Sequence, residues 1–288
     1  MKKIRGQGAA VVIGWGLGSL GLAVILNTLN LLLLAYLTVV AGLEPALAGS
    51  LVLLAKLYDV VTDLPMGWLT DRTRSRWGAR RPWLLAAGLI TPLALYWLFS
   101  PPQCGTPAWV LGALLLYATG YTLFNVPYLS MPAELTTDLR QRTRMLAWRS
   151  AFIAGGTFFG VSLAPYLVGA LGGGAAAYQR LGLVMALTVA AAFLACFWLT
   201  GYAAPVARRG ERVPLRAQLK VIAANRYFSA LMLIKITHLL ALSVGAGSLF
   251  FFVRYALGYD LQTLGLYGAA TTMAWAVSMP FWSRMANR

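Results

Sequence analysis

The chain has 288 residues, of which 59% are hydrophobic and 11% charged, and its mean hydropathy is +0.70. Soluble globular domains carry about 25% charged residues, so this composition excludes a soluble domain and indicates a polytopic membrane protein. The formal net charge of +16 does not indicate nucleic acid binding, because the 24 basic residues lie almost entirely in short segments between apolar runs.

Eight apolar runs are long enough to cross a bilayer, which takes about 20 residues. They occupy residues 9–40, 46–70, 82–100, 108–131, 147–171, 181–202, 228–252 and 263–283. Pro65 predicts a kink in the second span, and the polar segment from Glu134 to Arg144 is predicted to be a loop. The sequence therefore predicts an all-α polytopic membrane protein.

The longest polar stretch divides the chain after the sixth span. We interpret residues 1–202 as an N-terminal six-helix bundle, residues 203–226 as a basic cytoplasmic linker, and residues 227–288 as two helices of a partial second bundle. Six spans, a linker and further spans are typical of transporters built from two parallel six-helix halves.

Basic residues mark one side of the predicted membrane. Nineteen of them lie at the N-terminus, after the even-numbered spans and at the C-terminus, whereas only Arg180 and Arg254 lie on the other side. Cytoplasmic segments of membrane proteins carry an excess of lysine and arginine. The N-terminus is therefore predicted to be cytoplasmic.

The second span carries three charged residues, Lys56, Asp59 and Asp63. Their spacing places them on one face of a helix. Ionisable groups inside a membrane cost several kcal/mol and indicate a pathway for ions or substrate. A structural alternative is a Lys56–Asp59 ion pair, with Lys235 of the seventh span as the partner of Asp63. No metal cluster, nucleophile triad or phosphate loop is apparent in the sequence, so we do not expect an enzyme.

Two groups of motifs resemble known transporters. The signature of the major facilitator superfamily is similar to the segment Gly67-x-x-x-Asp71-Arg72 with Gly78, Arg80 and Arg81 beyond it. The second and fourth spans of the glycoside-pentoside-hexuronide:cation symporters, the melibiose permease family, resemble Lys56-x-x-Asp59-x-x-Thr62-Asp63-x-Pro65-x-Gly67-Trp68 and Tyr121-Thr122-x-x-Asn125-x-Pro127-Tyr128. The resemblance covers essentially the whole chain and implies a major facilitator-type helical bundle.

The resemblance also implies a site for a coupling cation. Its residues would be Asp59, Asp63 and Thr62 on the second span and Thr122 on the fourth, with Lys56 beside them. Two carboxylates and neutral oxygens suit Na⁺, and two close acids can instead share a proton. The coupling ion is therefore expected to be Na⁺ or H⁺, and no other cofactor or metal is expected.

The implied sugar site departs from the family pattern. Ala23 and Asn125 stand where melibiose permease has acids, and Leu129 replaces a stacking tryptophan, so melibiose itself is not expected. The polar candidates for contact with a sugar or glycoside-like solute are Asn125, Tyr121, Arg149 and Asn27. Alternatively, Asn125 and Tyr121 are interhelical hydrogen bonders and Arg149 snorkels to the surface. A lysolipid or other amphiphile is the second cargo consistent with the lost acids.

Gly67, Asp71, Arg72 and Arg74 are expected to serve in a cytoplasmic gate and in topology. The family has twelve spans and this sequence carries eight, so it resembles a truncated member, and a non-transporting membrane protein is a further alternative. The expected setting is the lipid bilayer of a bacterial cytoplasmic (inner) membrane. The expected partner is a small-molecule solute, with neither nucleic acid nor an obligate protein partner.

Overall fold

The computed structural model describes residues 8–100, 107–136, 138–202 and 225–286, and all regular structure within them is helical. The α-helices are α1 (Ala9–Ala35), α2 (Pro45–Arg72), α3 (Arg81–Leu98), α4 (Pro107–Leu135), α5 (Leu139–Phe158), α6 (Ala164–Ala170), α7 (Ala175–Leu199), α8 (Arg226–Phe251) and α9 (Leu261–Ala286). The predicted all-α fold class is confirmed.

Three π-helical turns and one 3₁₀ turn lengthen these helices. They are Tyr36–Val40 after α1, Phe159–Leu163 between α5 and α6, Phe252–Ala256 after α8, and the 3₁₀ turn Thr200–Tyr202 after α7. Because the second π-helical turn joins α5 to α6, these two helices form one continuous stretch. Each of the eight predicted spans thus corresponds to a helical stretch of the described residues.

Five of the helical stretches in the described part of the chain are long and apolar enough to cross a membrane. They are Ala9–Val40, Pro107–Leu135, Leu139–Ala170, Ala175–Tyr202 and Arg226–Ala256. The helix α2 carries five charged residues, which include both acids of the predicted cation site. The chain is an integral membrane protein.

The predicted loop from Glu134 to Arg144 is wrong. The helix α4 continues to Leu135, and α5 already begins at Leu139. The side chain of Asp138 accepts a hydrogen bond of 3.0 Å from the backbone N–H of Arg140, which caps the new helix. Since leucine, arginine and glutamine favour helices, the polar residues here extend a helix instead of ending it.

Two other predictions were imprecise or fall outside the description. The sixth span was expected from residue 181, but α7 begins at Ala175, directly after Gly174. The predicted linker at 203–226 lies outside the described residues except for its last two positions, Asn225 and Arg226. The division between residues 1–202 and 227–288 therefore stays a prediction.

The helix α1 lies at the centre of the bundle. It contacts α5, α7 and α8, while α3 packs against α4 and α7, and α2 packs mainly against α4. Buried aromatic rings join these helices: Trp15 stacks on Tyr128 at 5.0 Å between ring centroids, and Phe124 stacks on Phe193 at 3.5 Å. In a membrane such close packing holds helices together, because lipid tails are as apolar as the side chains.

The bundle has two ends. We call residues 70–81 and 134–144 the arginine-rich end, which combines the end of α2, the start of α3, the end of α4 and the start of α5. We call residues 41–44, 171–174 and 257–260 the opposite end. On the predicted topology the arginine-rich end is the cytoplasmic one.

The helices α8 and α9 meet the first six helical stretches near the opposite end. All residues of α8 from 226 to 245 are exposed, whereas Phe250 and Val253 are buried. The helix α9 packs on α6 and the preceding π-helical turn, where the hydroxyls of Ser162 and Thr272 lie 3.4 Å apart. Toward the arginine-rich end, α8 is therefore uncovered.

Glycines in α9 allow this helix to pack closely on α6, and this close packing leads to a prediction about stability. A Cβ at Gly265 would lie 2.6 Å from both the carbonyl oxygen of Ser162 and the Cβ of Tyr166. Because one of these atoms belongs to the backbone, Gly265→Ala should push the helices apart and lower the free energy of unfolding by about 1 to 3 kcal/mol. Thermal unfolding in detergent micelles measures the loss.

The matched control is Gly245→Ala in α8. A Cβ at Gly245 meets nothing within 4 Å, and alanine is a better helix former than glycine. This variant should be as stable as the wild type or slightly more so. Equal unfolding temperatures for the two alanine variants would contradict the close packing of α9 on α6.

Candidate functional site

Two acids of α2 and one threonine of α4 form the centre of the site. The hydroxyl of Thr122 lies 2.8 Å from Oδ1 of Asp59 and 3.0 Å from Oδ1 of Asp63. The acids are half-buried, one helical turn apart on the same face, and Thr122 is only 3% exposed. The structure thus brings together residues that are about 60 positions apart in the sequence.

A second contact fixes the register of α2 on α4. The hydroxyls of Tyr58 and Thr119 lie 3.0 Å apart. Tyr58 is next to Asp59 in the chain, and Thr119 lies one helical turn before Thr122. The hydroxyl of Thr119 also bonds to the carbonyl of Leu115 within its own helix. Two adjacent polar contacts therefore hold the acids against Thr122.

In the cluster of Asp59, Thr122 and Asp63, one hydroxyl has short contacts with two carboxylates but carries only one hydrogen to donate. A threonine hydroxyl carries one hydrogen, so it can donate to only one of the two carboxylates at a time. Positive charge would stabilise the other short contact, either as a proton on one acid, which then donates to the hydroxyl oxygen, or as a metal cation among the oxygens. The arrangement suits a site that binds one proton or one small cation.

The other two predicted members of the cation site are placed differently. The hydroxyl of Thr62 donates to backbone carbonyls of its own helix, at 3.0 Å to Tyr58 and 3.1 Å to Asp59. Its oxygen can still accept or coordinate through its lone pairs. Lys56 is exposed and forms no ion pair among the described residues, although its charge acts on Asp59. The alternative of a Lys56–Asp59 ion pair is therefore not observed.

No acid–lysine pair with Lys235 occurs either. Lys235 lies in the exposed part of α8, and neither ion pair found among the described residues includes it. The same part of the chain contains no group of three or more His, Cys, Asp or Glu side chains that could hold a metal ion. Any metal here would depend on the two carboxylates and neutral oxygens.

Three polar side chains follow one face of α4 beside the acids. Tyr121, Asn125 and Tyr128 are spaced at i, i+4 and i+7 and so lie along one stripe of the helix. Asn125 is half-buried, and its amide has no hydrogen-bond partner among the described residues. The amide can therefore donate and accept bonds from a solute without first losing bonds of its own.

Arg149 lies beside this stripe. It lies ten residues beyond the start of α5, which is about 15 Å along the helix at 1.5 Å per residue. Its charge acts on the hydroxyls of both Tyr121 and Tyr128. Its Nε atom is buried without a hydrogen-bond partner, and neither ion pair of the described residues includes it. The charges of Arg149, Asp59 and Asp63 all act on the hydroxyl of Tyr121.

Asn27 lies in a different environment from the other substrate candidates. Its amide nitrogen donates to the carbonyl of Ala23 at 2.8 Å and to the hydroxyl of Thr157 at 3.3 Å. A Cβ at Gly156 would lie 2.6 Å from the Cβ of Ala23, so α1 and α5 are in close contact here. Asn27 joins these two helices, and the same close contact leaves little room for an acid at position 23.

One predicted gate residue, Asp71, belongs to a network centred on Arg80, an arginine that was not among the gate candidates. Arg80 is 6% exposed and donates to Asp71 at 2.5 Å, to Glu134 at 3.1 Å and to the hydroxyl of Thr70. It therefore ties the end of α2 and the end of α4 to the start of α3. The signal was present in the signature motif, which includes this arginine, but sequence alone did not show that Glu134 completes the network.

The remaining gate candidates are more peripheral. The guanidinium of Arg72 lies 3.8 Å from the ring centroid of Trp68, a cation–π contact on the surface of α2. Arg74 is exposed and makes no hydrogen bond or ion pair within the described residues. Gly67 faces Val126 loosely, since a Cβ there would still be 3.9 Å from it. Of the four candidates, only Asp71 belongs to the Arg80 network.

Comparisons with known proteins match this architecture. A family model described as MFS/sugar transport protein matches residues 14–288. The chain is similar to the putative glycoside/cation symporter YagG of Escherichia coli, with 30% identity over 276 residues, which are 91% of this chain and 58% of that protein. It is also similar to the uncharacterized symporter sll1374 of Synechocystis, with 39% identity over 171 residues, 56% of this chain and 31% of that protein.

A third relative comes from an animal. The sodium-dependent lysophosphatidylcholine symporter 1-A of Danio rerio is 31% identical over 146 residues, 50% of this chain and 27% of that protein. The chain spans less than two thirds of the length of each of these three relatives. The names of the family and of the relatives describe transporters and not enzymes.

Proposed function

Because the chain belongs to the MFS/sugar transport protein family, as its motifs predicted, we propose that it is a cation-coupled symporter of a sugar or glycoside-like solute. The observation that supports this proposal is the cluster of Asp59, Thr122 and Asp63, in which one hydroxyl hydrogen serves two carboxylates. A bound Na⁺ or proton supplies the missing positive charge.

Coupling follows from the position of the cluster beside the polar stripe of α4. Thr122 is adjacent to Tyr121 in the chain, and Asn125 is one turn further along the helix. A cation that neutralises the acid pair changes the field at the stripe and so changes the affinity for a solute bound there. Linkage requires the solute to raise the affinity for the cation by the same factor.

The transport cycle we propose is alternating access. The helices α8 and α9 contact the other helices near the opposite end, and α8 is uncovered toward the arginine-rich end. Rocking of the two groups of helices would exchange which end is closed while the site stays near the middle. We place the protein in a bacterial inner membrane with its N-terminus and arginine-rich end in the cytoplasm.

A specific observation favours a lysolipid as the second candidate cargo. The Danio rerio relative is named a sodium-dependent lysophosphatidylcholine symporter, and its match covers half of this chain. Ala23 and Asn125 remove two acids from the resembled sugar site, which makes the pocket more tolerant of an amphiphile. Both cargoes would use the same cation cluster.

The proposal is tested by uptake into proteoliposomes that contain the full chain. A radiolabelled glycoside should accumulate when an inward Na⁺ or pH gradient is imposed and should stop accumulating when the gradient is collapsed. Competition by unlabelled glycosides but not by lysophosphatidylcholine would support the sugar, and the reverse would support the lysolipid. Uptake that ignores both gradients would contradict symport.

Thr122 provides a graded test of the cation site. Thr122→Val keeps the shape of the side chain but removes the hydroxyl that bonds both acids. Hydrogen bonds to charged groups contribute about 1.5 to 3 kcal/mol, so the cation concentration for half-maximal uptake should rise about ten- to hundredfold. Thr122→Ser retains a hydroxyl and should stay within a few fold of the wild type. If valine and serine behave alike, the hydroxyl does not serve the cation site.

A further inference from the structure

We infer that Tyr58 is a positioning residue of the cation site, and that its hydrogen bond to Thr119 keeps this site assembled while no cation is bound. The inference rests on the proposed function for the role of the acid cluster, and it adds what sets the affinity of that cluster. Tyr58 and Thr119 are not themselves ligands in the proposed site. Their bond acts through Thr122, which lies one helical turn beyond Thr119 in α4.

The direction of the Tyr58–Thr119 bond follows from the hydrogens that the two hydroxyls carry. Thr119 donates its one hydroxyl hydrogen to the carbonyl of Leu115 in its own helix, at 2.8 Å. Toward the hydroxyl of Tyr58, 3.0 Å away, the oxygen of Thr119 therefore accepts, and Tyr58 is the donor. Both hydrogens are thus used without any carboxylate or cation, so the bond does not depend on the charge of the acids.

Apolar packing does not position the part of α2 that carries the acids. The buried residues of this helix are Ala48, Leu51, Ala55, Met66 and Thr70. No side chain of positions 56–65 is therefore buried within the described part of the chain. Pro65 also lacks the N–H that would bond the carbonyl of Val61, which removes one helical hydrogen bond beside Asp63. The position of the acids against α4 therefore depends on polar contacts.

Three polar contacts join residues 56–65 to other helices in the described part of the chain, and all three reach α4. Two are the contacts of Thr122 with the acids, and the third is the Tyr58–Thr119 bond. Without a cation, the single hydrogen of the Thr122 hydroxyl satisfies only one of the two carboxylates. The Tyr58–Thr119 bond stays complete in both cases. It therefore holds both acids within reach of Thr122 before a cation binds.

This preorganisation of the acids determines the affinity for the cation. A site that is assembled for part of the time binds its ligand with an affinity reduced by the assembled fraction. Loss of the Tyr58–Thr119 bond lowers that fraction, whereas a bound cation joins the carboxylates to the Thr122 hydroxyl by itself. Removing the bond should therefore raise the cation concentration for half-maximal binding and leave the maximal rate of transport nearly unchanged.

The test measures cation binding to the full chain in lipid nanodiscs without solute, by thermal shift. Na⁺ is titrated at constant pH, and protons are titrated in buffer free of Na⁺. Tyr58→Phe and Thr119→Val remove the same bond from its two sides, and each should raise the half-maximal cation concentration about three- to tenfold. The double variant should be no weaker than the weaker-binding single variant, because both changes remove one bond. Thr119→Ser retains the hydroxyl and should bind like the wild type.

Two variants control for general effects of these substitutions. Thr188→Val removes a hydroxyl that bonds the carbonyl of Val184 within its own helix, and Tyr267→Phe changes an exposed tyrosine of α9. Both should bind the cation like the wild type. A further measurement separates positioning from a general structural role. In a Thr122→Val background, Tyr58→Phe should have no additional effect on cation affinity, because the remaining ligands then all lie on α2.

Unchanged cation affinity in Tyr58→Phe and Thr119→Val would overturn the inference. Effects of the two single variants that add in the double variant would also overturn it, as would an effect of Tyr58→Phe that persists without the Thr122 hydroxyl. If neither Na⁺ nor protons shift the unfolding temperature of the wild type, the cation site and the inference fail together.

Uptake into proteoliposomes, measured on the same variants, separates this inference from the proposed function. Cation binding that follows the expected order without accumulation of solute would contradict symport and leave the positioning role of Tyr58 standing. Cation-coupled uptake with wild-type cation affinity in Tyr58→Phe and Thr119→Val would do the reverse.

Discussion

Asp63→Asn is expected to abolish cation-driven accumulation in proteoliposomes. The carboxylate of Asp63 is one of two that share the hydroxyl of Thr122, and asparagine has nearly the same size but no negative charge. When Asp59 is the one carboxylate left, the single hydrogen of the Thr122 hydroxyl satisfies it, and no further positive charge is needed. A cation then has one anionic ligand instead of two, and its affinity should fall by more than tenfold.

The comparison should include Asp59→Asn and a matched control. Asp59→Asn removes the other carboxylate and should have the same effect. Asp260→Asn changes an exposed acid before α9 whose side chain bonds Thr263, a role that asparagine also fills, so transport should be unchanged. Exchange of solute without a cation gradient shows whether the variants still bind cargo. Wild-type accumulation by Asp63→Asn would eliminate the proposed cation site.

The acid cluster shows how far sequence reasoning could go in the membrane. Charges at helical spacing in an apolar span placed Asp59 and Asp63 on one face, and the family resemblance pointed to Thr122 as their neighbour. The structure shows that proximity directly, in the two short contacts of the Thr122 hydroxyl with the carboxylates. The role as a cation site stays a prediction, because the contacts show only that the three side chains lie together.

Other features were not accessible from the sequence because they depend on how helices pack. Asn27 and Asn125 are equivalent as sequence signals, yet the amide of Asn27 joins α1 to α5, whereas that of Asn125 makes no hydrogen bond among the described residues. The difference comes from Gly156 and Gly160, which let α5 approach α1. A polar residue in a span therefore predicts an interaction but not its partner.

The helix ends were predicted less well than the spans for a related reason. Hydropathy locates the apolar part of a helix, but helices can continue past it through polar residues, as α4 and α5 do near Asp138. The ion pair between Glu134 at the end of α4 and Arg80 at the start of α3 depends on how these helix ends pack, which hydropathy does not indicate.

Arg80→Gln is expected to cause the largest loss of stability of any single change at the arginine-rich end. The guanidinium of Arg80 is 6% exposed and bonds Asp71, Glu134 and Thr70, so its removal leaves two acids and a hydroxyl without their common partner. Breaking a buried ion pair costs about 3 to 5 kcal/mol. Because the side chain of Asp71 is 60% exposed and that of Glu134 27%, solvent reduces the expected cost to about 2 to 3 kcal/mol.

The geometry of the network predicts that lysine cannot replace this arginine fully. Arg80 uses three different nitrogens for its three partners, and a lysine has one nitrogen on a flexible stem, so Arg80→Lys should be intermediate in stability. Arg74→Gln removes an exposed arginine from the same segment and should change stability by less than about 0.5 kcal/mol. Thermal unfolding of the three variants in one detergent measures the order. If Arg80→Gln is as stable as Arg74→Gln, the network does not hold α2, α3 and α4 together, and the arginine-rich end must be stabilised by the aromatic packing around α1 instead.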